Sequence, residues 1–132
     1  MLVKTILNRC ERFKCFVYGQ VRFVTEAGRD SLDVEVKPRK GSAALCSCCH
    51  QAAPCYDHAS EPRRFEFVPL WGYAVFLVYV MRRVDCPRCG VKVEEVPWAD
   101  GKHQLTKTYM QFLASWARSL SWTEVSRRFQ TS

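Results

Sequence analysis

The hydrophobic pattern of residues 1–45 predicts β-strands. In residues 32–37 apolar and charged side chains alternate, which is typical of a half-buried strand. Turn-forming residues fill positions 26–31, so we predict a hairpin that pairs about residues 21–25 with residues 32–36. The stretch Pro38-Arg39-Lys40-Gly41 then ends the second strand and places positive charge on a loop.

The middle of the chain predicts three further strands. Residues 63–68 form the first, positions 69–72 a turn, and residues 74–84 the second. Positions 74–80 are apolar on both faces, so we expect both sides of that strand to be covered. The alternation at residues 91–96 predicts a third, short strand that ends at Pro97.

After residue 104 the period becomes helical. Apolar residues at spacings of three and four predict a helix over about residues 106–118: Leu105, Tyr109, Phe112, Leu113 and Trp116. We expect residues 119–121 to break it and Ser121 to cap a second helix, with Glu124 completing a capping box and Trp122, Val125 and Phe129 on the apolar face. Two helices joined in this way either begin a helix-turn-helix or close the core as a plain helical hairpin.

Two C-x-x-C pairs, Cys46 with Cys49 and Cys86 with Cys89, organise these elements. The second reads Cys86-Pro87-Arg88-Cys89-Gly90, a tight turn in which two thiolates face one ion. Four thiolates complete the tetrahedral coordination of Zn²⁺ and leave no open position, so the predicted site is structural. The 36 residues between the pairs exceed the usual spacing of a compact motif and instead favour a zinc ribbon whose halves are joined by strands.

Other cysteines and histidines near the first pair are alternative ligands. Cys48 and Cys55 are the main rivals, and we interpret each as a buried thiol that packs as a small apolar residue. His50 and His58 are surplus once four thiolates are supplied.

Length and cysteine usage define the class of protein. A chain of 132 residues is short enough for a bound metal to contribute substantially to its stability. The N-terminal residues lack the features of a secretory signal, so the eight cysteines indicate cytosolic metal ligands rather than disulfides. The longest apolar run, residues 70–81, is too short to cross a bilayer, and we expect no membrane partner.

The charge of +7 and the pI near 9.1 favour a polyanionic partner. Residues 1–45 carry nine basic against five acidic side chains, residues 46–104 carry seven of each, and residues 105–132 carry four against one. The excess therefore lies at the two ends. Lys37, Arg39 and Lys40 are either phosphate contacts or simply part of a solvated loop.

The ordered set of motifs resembles the N-terminal region of ISL3-family insertion-sequence transposases. The matching residues are Val34-Glu35-Val36-Lys37-Pro38-Arg39, Cys46 and Cys49, His58, Arg63-Arg64-Phe65, Pro69, Trp71-Gly72, Arg82-Arg83, Cys86-Pro87-Arg88-Cys89-Gly90, Val96-Pro97-Trp98 and Trp122-Thr123-Glu124-Val125-Ser126-Arg127-Arg128-Phe129. His50 departs from the pattern, because a glycine usually follows the first pair. The resemblance implies a small α+β fold: an N-terminal β-hairpin, a four-cysteine zinc ribbon, and a C-terminal helical pair that begins a helix-turn-helix.

The resemblance also implies a bacterial, cytoplasmic protein that associates with the nucleoid and binds the terminal inverted repeats of its element. Basic residues would contact DNA phosphates: Lys37, Arg39, Lys40, Arg63, Arg64, Arg82, Arg83, Arg127 and Arg128. Family members continue into a catalytic domain with acidic metal ligands. Self-association through that part of the transposase is possible. The chain stops at Ser132, so we expect DNA binding that is weak and poorly sequence-specific, and no enzyme activity by itself.

Two other functions are compatible with the residues. A zinc-ribbon module could bind a protein through Trp71, Trp98, Trp116 and Trp122, although tryptophans in a small domain more often form its core. Thiol redox chemistry would need a C-x-x-C pair at the start of a helix, whereas both pairs lie among predicted strands.

The predicted elements divide the chain into a basic strand-rich segment (1–45), a zinc ribbon (46–104) and two helices (105–132).

Overall fold

Two β-sheets and three helices build the protein, a computed structural model that describes residues 2–100, 103–118 and 122–129. The helices are α1 (Leu2–Cys10), α2 (Lys107–Ala117) and α3 (Trp122–Phe129). The strands are β1 (Phe16–Glu26), β2 (Arg29–Pro38), β3 (Ala44–Cys46), β4 (Ala52–Ala53), β5 (Cys55–His58), β6 (Arg63–Leu70), β7 (Tyr73–Tyr79), β8 (Arg82–Cys86) and β9 (Gly90–Glu95). The small α+β class is therefore confirmed.

The predicted N-terminal hairpin is present, with longer strands than the sequence indicated. β1 and β2 pair antiparallel from Phe16 opposite Pro38 to Glu26 opposite Arg29. The turn needs only Ala27 and Gly28, whose φ angles of 52° and 75° are the left-handed values of a two-residue type I′ turn. We predicted a six-residue turn because residues 26–31 are rich in turn formers, but the outer ones pair across the strands.

We predicted that strands join the two halves of the ribbon. β6 and β7 do lie between the two cysteine pairs, but they pair within the first sheet and not within the ribbon sheet. The order of the first sheet is β1-β2-β7-β6, with β7 parallel to β2 and antiparallel to β6. The predicted single strand over residues 74–84 is in fact two strands, β7 and β8, in different sheets. The division at residue 45 stays a prediction, but strands from both sides of it share one sheet and one core.

The second sheet carries the cysteine pairs. Its order is β4-β3-β9-β8-β5, and every pairing within it is antiparallel. The predicted strand over residues 91–96 corresponds to β9 at its centre. The ribbon architecture therefore follows from two short hairpin-like turns that meet side by side.

Trp98 is the centre of the main hydrophobic core. Its indole is 1% exposed and packs edge-on against the rings of Phe16, Phe65 and Tyr79, at centroid distances of 4.9, 5.7 and 5.1 Å. Such edge-to-face pairs are worth about 0.5–1.5 kcal/mol each beyond their buried area. Because Trp98 follows the ribbon strand β9 but fills the core of the first sheet, it fastens the two sheets together.

Helix α1 was missed by the sequence analysis, which expected only strands before residue 45. Val3, Ile6 and Leu7 recur at helical spacing and lie on the less exposed side of the helix, and Leu7 belongs to the main core. The hydrophobic period was therefore present, but over only nine residues.

The first C-terminal helix agrees with the prediction. Thr106 caps α2, since its side chain accepts a hydrogen bond from the Tyr109 N–H, and Arg118 ends it. Helix α3 packs on α2 through Leu113, Val125 and Phe129. The predicted break at residues 119–121, the Ser121 cap and the Trp122 side chain lie outside the described residues. None of the described helices is long and apolar enough to cross a membrane.

Candidate metal centre and basic surfaces

Four cysteine thiols meet at one point between the two turns of the second sheet. Cys46 ends β3 and Cys86 ends β8, while Cys49 and Cys89 lie in the turns that follow. Their four Sγ atoms are all within 4.8 Å of one another, and Cys49 Sγ is 3.6 Å from Cys86 Sγ. Four ligands at 2.3 Å from a tetrahedral Zn²⁺ are about 3.8 Å apart, so this cluster fits that ion.

Backbone amides favour the thiolate form of the first cysteine of each pair. The N–H groups of Arg88 and Cys89 point at Cys86 and lower its pKa to about 7. The N–H groups of Cys49 and Cys48 likewise lower the pKa of Cys46, with the Cys48 nitrogen 3.4 Å from the sulfur. Hydrogen bonds to an anion stabilise it, so each turn is built to hold one thiolate.

The second cysteine of each pair has a raised pKa. For Cys89 the main causes are the adjacent Cys48 thiol and burial. For Cys49 the Gln51 N–H lowers the pKa, but burial and the thiols of Cys86 and Cys46 outweigh it. Four thiols in contact resist losing all their protons unless a cation compensates the charge, and a metal ion supplies that compensation.

The rival ligands are not members of the four-thiol cluster, although the Cys48 thiol lies next to Cys89. Cys48 and Cys55 are exposed, so our interpretation of them as buried apolar residues was wrong. His50 Nδ1 is 2.7 Å from Glu95 Oε1 and is thereby turned towards a carboxylate, while His58 is exposed in β5.

The predicted phosphate contact Arg82 conflicts with the structure. Arg82 is 8% exposed. Its guanidinium donates to both carboxylate oxygens of Glu94, with Nη2 2.8 Å from Oε2. The Tyr79 hydroxyl donates to the same carboxylate. Arg82 therefore neutralises a buried acid where the two sheets meet, and a phosphate could reach it only by leaving that acid unpaired. Nothing in the sequence signals this role of Glu94 beyond its place in an alternating strand.

The other basic residues of the middle segment are partly engaged within the protein. Arg63 lies over the Phe65 ring and donates to the His103 carbonyl at 2.9 Å. Arg64 stacks on Phe76 with its guanidinium 4.0 Å from the ring centroid and pairs with Asp33 at 2.7 Å. These two side chains have roles in packing as well as any role in binding.

Arg83 pairs with an acid at the surface. Its Nε is 2.7 Å from Asp57 Oδ1, and this contact lowers the pKa of Asp57. Half of the Arg83 side chain remains exposed, so the pair lies in solvent.

The remaining predicted contacts are exposed at two separate places. Lys37, Arg39 and Lys40 lie at the end of β2, and Arg127 and Arg128 lie in the last turn of α3. The Arg128 guanidinium also lies 5.4 Å from the centroid of the Trp116 ring. The structure thus brings the nine predicted residues to several surfaces rather than to one.

The fold and the site define a four-cysteine zinc-ribbon protein in which the ribbon is fused to a β-sheet. Residues 42–108 match the family described as zinc-finger of transposase IS204/IS1001/IS1096/IS1165. This match covers half of the chain, and the chain belongs to that family, which confirms the resemblance to ISL3-type transposases.

Two curated relatives agree with this assignment. Each is a transposase for insertion sequence element IS1557 from Mycobacterium tuberculosis, one from strain CDC 1551 / Oshkosh and one from strain ATCC 25618 / H37Rv. Each is 34% identical over 74 residues, which are 56% of this chain and 16% of the relative. The similarity therefore spans about a sixth of those proteins. No solved structure gives a significant match.

Proposed function

We propose that this chain is the DNA-binding N-terminal portion of an ISL3-family transposase and that it binds the terminal inverted repeats of its element. The observation that carries the proposal is the cluster of four thiols, which lies inside the segment that matches the transposase zinc-finger family. The net charge of +7 supports a polyanionic partner.

Cys46, Cys49, Cys86 and Cys89 would hold the zinc ion. When bound, the ion supplies cross-linking of the two turns, since four protein ligands leave no position for water or substrate. The chain itself holds the thiols at the ends of β3 and β8 and in the turns that follow. Trp98 packs this sheet against the first sheet. We therefore assign the metal a structural role and this chain no catalytic residue.

The DNA contacts that we retain are the exposed ones: Lys37, Arg39, Lys40, Arg127 and Arg128. Arg83 can join them, because an exposed ion pair is worth only about 0–1 kcal/mol and exchanges readily for a phosphate. Arg63 and Arg64 would contribute through the parts of their guanidinium groups that remain accessible. Arg82 is withdrawn from the set because of its burial.

Helices α2 and α3 are proposed as the first two helices of a helix-turn-helix. Their packing through Leu113, Val125 and Phe129 supports a fixed angle between them. In that motif the helix that follows the turn reads base edges, whereas phosphate contacts set position only. Because the contacts proposed for this chain are to phosphates, we expect weak and poorly sequence-specific binding. Self-association through the rest of the transposase and a location on the bacterial nucleoid belong to the same proposal.

A salt titration of DNA binding tests the function. Fluorescence anisotropy would follow a labelled duplex that carries the element end, and a shuffled duplex of equal length, between about 50 and 200 mM salt. We expect affinity to fall steeply with salt for both duplexes. Absence of binding at low salt would contradict the proposal, and a strong preference for the element end at physiological salt would contradict the predicted lack of specificity.

A second candidate function is protein binding, and the aromatic end of the first sheet favours it. Phe23 and Trp71 are 74% and 70% exposed, and the Phe23 ring lies 5.9 Å from that of Tyr73. Trp98, which we had included among the possible contacts, is buried instead. An aromatic interface would bind its partner with little salt dependence, so the same titration with a candidate protein separates the two functions.

A further inference from the structure

The pairing of β1 with β2 brings a basic residue from before the hairpin next to the basic loop after it. In this register Phe16 lies opposite Pro38, and the ladder continues outwards because the Arg39 N–H donates to the Cys15 carbonyl at 2.7 Å. Lys14 and Lys40 follow in turns just beyond the ladder. Segments 14–15 and 39–42 are thus neighbours in space, which composition alone does not reveal.

Side-chain hydrogen bonds hold this strand end in place. The Arg39 Nε donates to the Lys14 carbonyl at 3.1 Å, and the Ser42 hydroxyl lies 2.6 Å from the Arg39 carbonyl and 3.2 Å from the Cys15 carbonyl. A surface whose backbone is already ordered loses less conformational entropy when it binds a partner.

We name this surface the strand-end basic cluster and define it by its five exposed residues: Arg12, Lys14, Lys37, Arg39 and Lys40. Lys37 Nζ is 3.6 Å from Glu35 Oε1, and the other four cations have no carboxylate within 4.0 Å among the described residues. By contrast, Arg64, Arg82 and Arg83 each have an acidic partner. Like charges gathered without acids raise the free energy of the isolated protein, and an anionic partner removes that cost.

We propose that the strand-end basic cluster is the main phosphate-contacting surface of this chain, and that Lys14 and Arg12 are DNA contacts in addition to Lys37, Arg39 and Lys40. Because the Arg39 guanidinium reaches the Lys14 carbonyl, long side chains from both segments can contact neighbouring phosphates of one DNA strand. The inference rests on the proposed DNA-binding function and assigns it to one surface.

A pair of charge-neutralising double variants tests this assignment. The first is Lys14→Gln with Lys40→Gln. The matched control is Arg22→Gln with Lys92→Gln, which removes the same charge from exposed positions on β1 and β9, outside the cluster. The four side chains are exposed and make none of the hydrogen bonds described above, so both variants should fold. Circular dichroism and thermal unfolding would verify that.

The measured quantity is the slope of log K against log salt for a duplex. Each lost phosphate contact lowers the slope by about 0.9, so the cluster variant should lose about 2 while the control keeps the wild-type slope. Equal slopes for the two variants, with wild-type protein still binding, would overturn the assignment to the cluster but not the DNA-binding function. Failure of the wild-type protein to bind would overturn the function itself. Tighter wild-type binding to phosphatidylserine vesicles than to duplex, lost in the cluster variant, would give the cluster to a membrane surface instead.

Discussion

The two cysteine-bearing turns share one backbone conformation but differ in the residue that follows the second cysteine. In both, the residue after the second cysteine has left-handed backbone: φ is 82° at Gly90 and 63° at His50. Glycine adopts this conformation without cost, whereas a residue with a Cβ is disfavoured there by about 1–2 kcal/mol. Both turns adopt this conformation because it brings two sulfurs and their amides to one point. Glycine is needed there only where no other interaction offsets the cost of the left-handed backbone.

At the first turn, compensation comes from hydrogen bonds. The His50 N–H donates to the Cys46 carbonyl at 2.8 Å, the Cys46 N–H donates to the Gln51 carbonyl at 2.8 Å, and the His50 ring contacts Glu95. The departure from the glycine pattern therefore leaves the first pair in the cluster. Both turns also show the same electrostatic order, with a lowered pKa at the first cysteine and a raised pKa at the second.

The largest predicted effect comes from removing a ligand. Cys89→Ser should abolish zinc binding and unfold the ribbon, because four-thiolate sites contribute directly to folding. Cys55→Ser is the matched control, since Cys55 is exposed in β5 and is not a member of the cluster. Native mass spectrometry should find one zinc per chain in the wild type and in the control, and none in Cys89→Ser. A folded, zinc-free wild-type protein would refute the metal centre.

A smaller effect is expected from adding a methyl group at the second turn. Gly90→Ala places a Cβ at φ 82° and should lower the free energy of unfolding by about 1–2 kcal/mol. Apart from its chain neighbours, no atom of the described residues lies within 4 Å of that Cβ, so the cost is conformational rather than steric. Urea unfolding of the zinc-bound protein measures it, and an unchanged midpoint would show that the turn tolerates side chains as well as the first turn does.

The smallest effect should come from making the first turn resemble the second. His50→Gly relieves the backbone strain but removes the exposed contact with Glu95 and gives the unfolded chain more freedom. These changes oppose one another, so we expect the free energy of unfolding to change by less than about 1 kcal/mol. Urea unfolding with Glu95→Gln as a control would separate the two contributions. A loss larger than that of Gly90→Ala would mean that His50 supports the site in another way.

Some of the site could be predicted from the sequence because its determinants are local. The repeated C-x-x-C spacing fixed which four thiols would share a centre, since a tight turn leaves few other arrangements. The apolar period after residue 104 likewise located α2. The exposure of Cys48 was not predicted correctly, because the exposure of a thiol depends on what packs over it rather than on its neighbours in sequence.

The sequence by itself determined the class of this protein: four thiols at ribbon spacing, strands that alternate, and helices at the end. Only the tertiary structure decided that β7 lies parallel to β2, that Arg82 is buried against Glu94 and that Arg39 lies against the backbone of Lys14. The physical reason is range. Turns and ligand spacing depend on a few consecutive residues, whereas burial, ion pairing and strand order depend on which distant surfaces exclude water together.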